Sequence, residues 1–226
     1  MSFDPDAVLF DLDGTLCTYE RPGEEVLAAA FDRVDVEPAF GMAAFHDRYV
    51  EFLAESPDGR TLFARTFAAL LADRGLDPAD GPALADAFLA ERGPEELRPI
   101  DGARETVEAL ATNHRLGVVT NGHPSLQRPK LDRLGLAGSF ETVVFAGYET
   151  AAKPDPEPFE RALSPLGVPA DRAVYVGNVP SIDVAGARAA GLRAAWLADG
   201  RRAEPEPDYS LEALAELTDP PWAADR

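Results

Sequence analysis

The sequence predicts an α/β fold in two parts: a parallel sheet with helices on both faces, and an all-helical domain inserted into it. Three observations carry this. Five short apolar runs lack polar alternation, as strands buried on both faces do: AVLFD (Ala7 to Asp11), RLGVVTNG (Arg115 to Gly122), TVVFA (Thr142 to Ala146), AVYVGN (Ala173 to Asn178) and LRAAWLA (Leu192 to Ala198). Segments with apolar residues at helical spacing, Asp101 to Thr112, Pro124 to Leu134, Pro156 to Leu166 and Asp183 to Ala190, accompany the later runs. The gap between the first run and the second is about a hundred residues, far too long for a single crossover.

That gap is helical throughout. From Glu24 to Ala90 it reads EEVLAAAFDRV, AFGMAAFHDRYVEFLAE, TLFARTFAALLADRG and ALADAFLAERG, separated by the turn signals SPDG and DPADGP. It is read as a helical cap domain over residues 21–94, leaving 1–20 and 95–226 as the α/β core. The aromatic residues Phe40, Phe45, Tyr49, Phe52, Phe63 and Phe67 recur at helical spacing and are expected to form the core of that domain. In the α/β part, Pro129 is expected to kink or restart its helix, and Asp155 before Pro156 marks a helix start. After Gly200 the pattern predicts a turn, a short edge segment and a final helix, LEALAEL, before a fraying PPWAADR.

Composition narrows the function. In 226 residues, 46% are hydrophobic, enough for a sizeable core. The net charge of −19 repels a phosphate backbone, so nucleic acid is not an expected partner. No run approaches the roughly 18 apolar residues that span a bilayer, and Met1 to Asp6 lacks a signal-peptide pattern, so no membrane partner and a cytoplasmic location are expected. The single cysteine, Cys17, cannot form an internal disulfide. Of the 21 basic residues only Lys130 and Lys153 are lysine. Such an acidic, lysine-poor surface suits a salt-rich cytoplasm, where the Debye length shrinks to about 3 Å at 1 M; a GC-rich genome produces the same bias.

Polar groups gather where the strands end. Asp11 and Asp13 follow the first run, Thr120, Asn121 and Gly122 the second, Lys153 the third, and Asn178 and Asp183 the fourth. In an open parallel sheet the ligand crevice lies beyond the carboxyl ends of the strands. Converging carboxylates are tolerable around a hard divalent cation, and oxygen ligands without sulfur or histidine favour Mg²⁺. Lysine, a threonine hydroxyl and the backbone N–H groups of Asn121 and Gly122 suit phosphoryl oxygens. The chemistry indicated is phosphoryl transfer, in which a carboxylate can serve as nucleophile and a second one as general acid and base. Lys153 survives in a chain that has nearly eliminated lysine, which argues for a compact point charge at that position. Lys130 is spared as well, and the sequence assigns it no role.

Asp11-Leu-Asp-Gly-Thr-Leu, Val118-Val-Thr-Asn-Gly, Lys153-Pro-Asp-Pro-Glu-Pro-Phe and Gly177-Asn-Val-Pro-Ser-Ile-Asp-Val-Ala-Gly-Ala resemble, in order, the four motifs of the haloacid dehalogenase-like (HAD) hydrolase superfamily. The resemblance spans the whole chain and implies a Rossmann-like core with a helical cap between the first and second motifs. It implies Asp11 as nucleophile and magnesium ligand, and Asp13 as general acid/base with its backbone carbonyl on the metal. Thr120, assisted by Asn121 and Gly122, would bind the phosphoryl oxygens; Lys153 would neutralise them and Asp11; Asp183 and Asn178 would hold the metal directly or through water. Asn178 departs from the family's usual aspartate, which predicts weaker metal binding. The activity implied is Mg²⁺-dependent hydrolysis of a small-molecule phosphomonoester through an aspartyl phosphate. The alternatives are a sugar phosphomutase of the same family, or a catalytically impaired phosphate- or metal-binding protein. Asp13 argues against dehalogenation, which needs no proton donor, and the absence of a cap lysine argues against phosphonate hydrolysis. Tyr19, His46, Arg60, Arg65 and His123 are candidates for substrate contact, each with surface or packing as the commoner fate.

Overall fold

Eight strands form among residues 3–225, which the computed structural model describes: β1 (Ala7–Phe10), β2 (Cys17–Tyr19), β3 (Leu97–Pro99), β4 (Arg115–Thr120), β5 (Thr142–Phe145), β6 (Ala173–Gly177), β7 (Arg193–Leu197) and β8 (Tyr209–Leu211). The α-helices are α1 (Gly23–Val34), α2 (Met42–Tyr49), α3 (Gly59–Asp73), α4 (Gly81–Glu91), α5 (Ala103–Leu110), α6 (Pro124–Leu134), α7 (Glu157–Leu166) and α8 (Ala185–Ala189). The chain divides into two compact units. One comprises residues 3–18, 99–122 and 127–225, the other residues 19–98 and 123–126.

The first unit is built on a six-stranded sheet in the order β5-β4-β1-β6-β7-β8, parallel at every pairing. The chain leaves β1 for β4 and β5 on one side, then crosses to β6 on the other, so strand order reverses at β1. Ala7 and Leu9 of β1 pack with Val119, Tyr175 and, from α7, Phe159. Val8 and Phe10 point to the opposite face, as strand alternation requires, and are equally without solvent exposure. Both faces are therefore covered, which explains why β1 and β6 read as unbroken apolar runs.

In the second unit α1, α3 and α4 pack around Phe31, Phe67 and Phe88, with Phe45 of α2 stacked among Phe63, Phe67 and Phe88. Phe40, Tyr49 and Phe63 lie against this core as expected, whereas Phe52 lies under the Arg65 guanidinium, 5.0 Å from its ring centre. Asp58 caps α3, accepting from the Thr61 N–H at 2.7 Å.

Three local features refine the expected pattern. β2 and β3, three residues each, pair as a separate two-stranded sheet that the apolar runs do not announce. Pro129 lies inside an unbroken α6, which gives up one ladder hydrogen bond there rather than restarting. The final helix expected at LEALAEL is present as a short 3₁₀ helix, Leu214–Thr218. The start of α8 is also unusual: Pro180–Val184 winds as one π-helical turn, and Asp183 on it reaches back to the Asn178 backbone.

Candidate active site

β1 ends at Phe10, and its backbone continues in register long enough for the Asp11 N–H to reach the Val176 carbonyl at 2.9 Å. That bond sets Asp11 between the ends of β4 and β6. The chain then turns sharply through Gly14, whose φ of +79° and lack of a side chain are both required: a Cβ there would fall 2.2 Å from the Asn178 side-chain nitrogen. Asn178 is thereby brought against the first turn, where its Oδ1 accepts from the Thr15 hydroxyl at 3.4 Å.

Lys153 is the hub. Its ammonium, 2% exposed, donates to Asp11 Oδ1 at 3.0 Å, to Asp183 Oδ1 at 2.8 Å and to the Tyr175 hydroxyl at 2.7 Å. An ammonium has three protons, so all of them are committed. Burial works against the charge on Lys153, but Asp11 and Asp183 outweigh it and hold its pKa above the usual lysine range. Tyr175 donates its own proton to the Val119 carbonyl at 2.8 Å, and burial keeps the phenol neutral. Burial pushes Asp11 up to about 7, against the pull of Lys153 and with the added repulsion of Asp183. Among the described residues nothing donates to Asp11 Oδ2, so one oxygen of this carboxylate is anchored and the other is open.

Asp183, expected to hold a metal directly or through water, has both carboxylate oxygens on protein donors. Its Oδ1 faces Lys153, and its Oδ2 accepts the backbone N–H groups of Asn178 at 3.0 Å and Val179 at 2.9 Å. The Asn121 side chain is committed to structure as well, since its amide accepts from the Lys153 N–H at 2.8 Å and donates to the Lys153 carbonyl at 2.9 Å. This two-bond clamp fixes the backbone that aims the ammonium. Replacing Asn121 by leucine leaves both backbone groups without partners, and a loss of about 1–3 kcal/mol in urea-unfolding free energy is expected; an unchanged midpoint would show the clamp to be dispensable.

Two further residues reach Asp13 from α6, and sequence reasoning missed both. Lys130 Nζ lies 2.6 Å from Asp13 Oδ1 and 2.8 Å from Oδ2. Gln127, 3% exposed, donates from one Nε2 to Asp13 Oδ2 at 2.7 Å and to the Thr120 hydroxyl at 2.9 Å. Gly122 makes room for it: a Cβ at that position would sit 2.1 Å from Gln127 Nε2. The usable signals were the apolar-face position of Gln127, one turn before buried Leu131, and the sparing of Lys130.

The other candidates are occupied elsewhere. His123, 2% exposed, lies in the helical unit with Nε2 3.0 Å from the Ser56 carbonyl and Nδ1 accepting from the Ser125 N–H at 3.1 Å. Arg60 is paired with Asp86, Arg65 with Glu55, and Tyr19 stacks under Arg92. Phe45 lies edge-on to His46. Cys17 is fully buried and donates weakly to the Leu12 carbonyl; burial raises its thiol far out of the reactive range.

Among the described residues no three carboxylate, histidine or cysteine side chains cluster as a ready cation cage. The donors present still fit a hard cation, because Asp11 Oδ2 is open, its carboxylate is destabilised by burial, and Asn178 offers an oxygen held by one long hydrogen bond.

A buried carboxylate, a lysine hub and a second carboxylate on the same loop thus gather at the carboxyl ends of a parallel sheet where strand order reverses, the place at which open α/β folds bind their ligands. The haloacid dehalogenase-like hydrolase family matches over residues 5–191. A phosphoserine phosphatase of Thermus thermophilus is 40% identical over 68% of this chain, a match taking in 62% of that protein. A phosphoglycolate phosphatase of Rhodospirillum rubrum is 38% identical over 95% of this chain and 88% of its own. A 2-haloacid dehalogenase structure from Pseudomonas syringae superposes with a TM-score of 0.65 at 31% identity, covering 98% of this chain and 99% of the other. The chain belongs to the haloacid dehalogenase-like hydrolases and, within them, to the phosphatase type.

Proposed function

We propose that this protein hydrolyses small-molecule phosphomonoesters with the help of Mg²⁺, through a phosphoryl group carried transiently on Asp11. The observation that carries the reading is the state of Asp11: buried, anchored by Lys153 through one oxygen, with the other open. In the first step that oxygen attacks phosphorus, the bond from phosphorus to the leaving oxygen breaks, and the leaving oxygen takes a proton from Asp13, which must first take one up from solvent because it accepts from Lys130 and Gln127 as a carboxylate. In the second, water attacks phosphorus, its proton passes to Asp13, and the bond to Asp11 breaks. Thr120 and the backbone N–H groups of Asn121 and Gly122 serve the phosphoryl oxygens. Lys153, its three protons already placed, acts through its charge unless it exchanges a partner.

Asp11, the Asp13 carbonyl and Asn178 would hold the cation, with Asp183 contributing through water because its own oxygens carry protein donors. When bound, the cation supplies positive charge that offsets the repulsion between Asp11 and the incoming phosphate. Residues 21–94 are taken as a separate helical cap domain, and a cytoplasmic location belongs to the same reading. Dehalogenation is disfavoured because halide departure has no use for the proton donor that Lys130 and Gln127 hold in place.

The test is phosphate release over a panel of phosphomonoesters with Mg²⁺, at low and high KCl. Release from at least one ester well above the metal-free rate is expected; none on any ester would overturn the reading. A pH dependence follows as well. Cation binding requires the Asp11 carboxylate, whose pKa burial has raised to about 7. Below that pH binding must expel a proton, so apparent Mg²⁺ affinity should fall about tenfold per pH unit and level off above it. Calorimetric titration across that range checks this, and a flat profile would contradict it.

A further inference from the structure

We propose that Lys130, together with Gln127, is a positioning residue that aims Asp13 for proton transfer, an inference that rests on the phosphatase reading above. The Asp13 side chain is 44% exposed, so packing alone does not hold its rotamer. Its strong hydrogen bonds come from one turn of α6, beside a weak contact from the Cys17 thiol at 3.9 Å. Lys130 Nζ bridges both carboxylate oxygens at 2.6 and 2.8 Å, and Gln127 Nε2 holds Oδ2 at 2.7 Å. The same Nε2 meets the Thr120 hydroxyl at 2.9 Å, so one amide sets the proton-transferring carboxylate and the phosphoryl-binding hydroxyl in register.

Stability does not explain the arrangement. With Asp13 44% exposed, solvent screens its ion pair with Lys130, itself 13% exposed, so the pair adds only modestly to folding. The Gln127 amide is buried with its Oε1 lacking any partner among the described residues, which is destabilising. It cannot turn over, because Oε1 would then face the Asp13 carboxylate. Gly122 adds its own requirement, since any side chain there would expel Gln127. A lysine is also the right cation: one compact nitrogen can bridge two oxygens, and this chain keeps only two lysines, each on a site aspartate.

Neither residue gives or takes an atom in either step. They keep the Asp13 carboxyl on the line of the leaving oxygen, where it delivers a proton, and then of the water, from which it receives one. Misplacing such a group by about 1 Å can reduce a rate a hundredfold. The loss must depend on the leaving group. An alkoxide needs the proton, whereas nitrophenolate departs without it.

The experiment compares kcat/KM, which reports the steps through leaving-group departure, for p-nitrophenyl phosphate and for the alkyl phosphomonoester that the wild-type protein hydrolyses fastest. In Lys130→Met the alkyl value is expected to fall about 30-fold or more, at least about tenfold further than the aryl value. Lys130→Arg, which keeps the charge, should recover part of the alkyl loss. Equal losses on the two esters, or wild-type activity on both, would overturn the proposal. If Lys130→Met does not fold, Lys130→Gln carries the same comparison. A wild-type protein inactive on both esters would instead defeat the phosphatase reading itself.

Discussion

Asp11→Asn should lower phosphate release on the order of 10⁴-fold or more, because the amide cannot attack phosphorus and no neighbouring carboxylate can take its place. Asp183 has both oxygens engaged, and Asp13 is tied to α6. The fold should survive, since Lys153 keeps Asp183 and Tyr175 as partners. Stability should change with a definite sign. The folded pKa of Asp11 is raised above its unfolded value of 3.8 to about 7, so the folded state holds that proton more tightly. Its contribution is fully present below the unfolded value and is lost as pH rises to about 7. Asparagine does not titrate. In the absence of a divalent cation, the variant should therefore match or exceed the wild type in urea-unfolding free energy at alkaline pH. A variant that is inactive and also much less stable there would mean that the Asp11–Lys153 pair holds the fold together rather than serving chemistry at its expense.

Lys153→Met removes the cation from between two buried carboxylates. Asp11 and Asp183 would face each other with 8% and 1% exposure and no counter-charge, and the Tyr175 hydroxyl would lose its donor. Breaking a buried pair by removing one partner costs about 3–5 kcal/mol, far more than the pair itself contributes. Activity should fall about 10³-fold with it, the scale of losing one preorganised charge at a developing anion. Lys153→Arg should not rescue either property, because the three acceptors converge on a single nitrogen that a planar fork cannot reproduce. Urea unfolding near neutral pH and phosphate release measure both effects. A loss of stability under about 1 kcal/mol would show that the triad is not what organises this end of the sheet.

What the sequence made legible was local. Asp11, Thr120, Lys153 and Asp183 each follow a short apolar run, and the topology of parallel strands brings run ends together whatever lies between. The roles that stayed hidden depend on contacts between distant parts of the chain. Lys130 and Gln127 meet Asp13 across 117 and 114 residues, and nothing along α6 says which of its faces meets the first loop. Gln127 did carry a trace, standing on the buried face with Leu131 and Leu134 where an apolar residue is the rule. The sparing of Lys130 reads from sequence alone as a weakness in the argument for Lys153. In the structure each lysine is the counter-ion of one aspartate of the first motif. Asn121 was legible as part of a phosphate loop, but the clamp on Lys153 needs the spacing of two loops that sequence does not supply. The pairing of β2 with β3 escaped because three residues are too few to show a strand period.

The central claim is that phosphoryl transfer passes through Asp11. When the protein is quenched in acid during turnover and then reduced, borohydride converts an aspartyl phosphate to homoserine, with loss of phosphate, at the residue that carried it. Peptide mass spectrometry should find homoserine at position 11 with substrate present, and none without substrate or in Asp11→Asn. Phosphate release with position 11 unmodified, or with the phosphoryl group on another residue, would contradict the account.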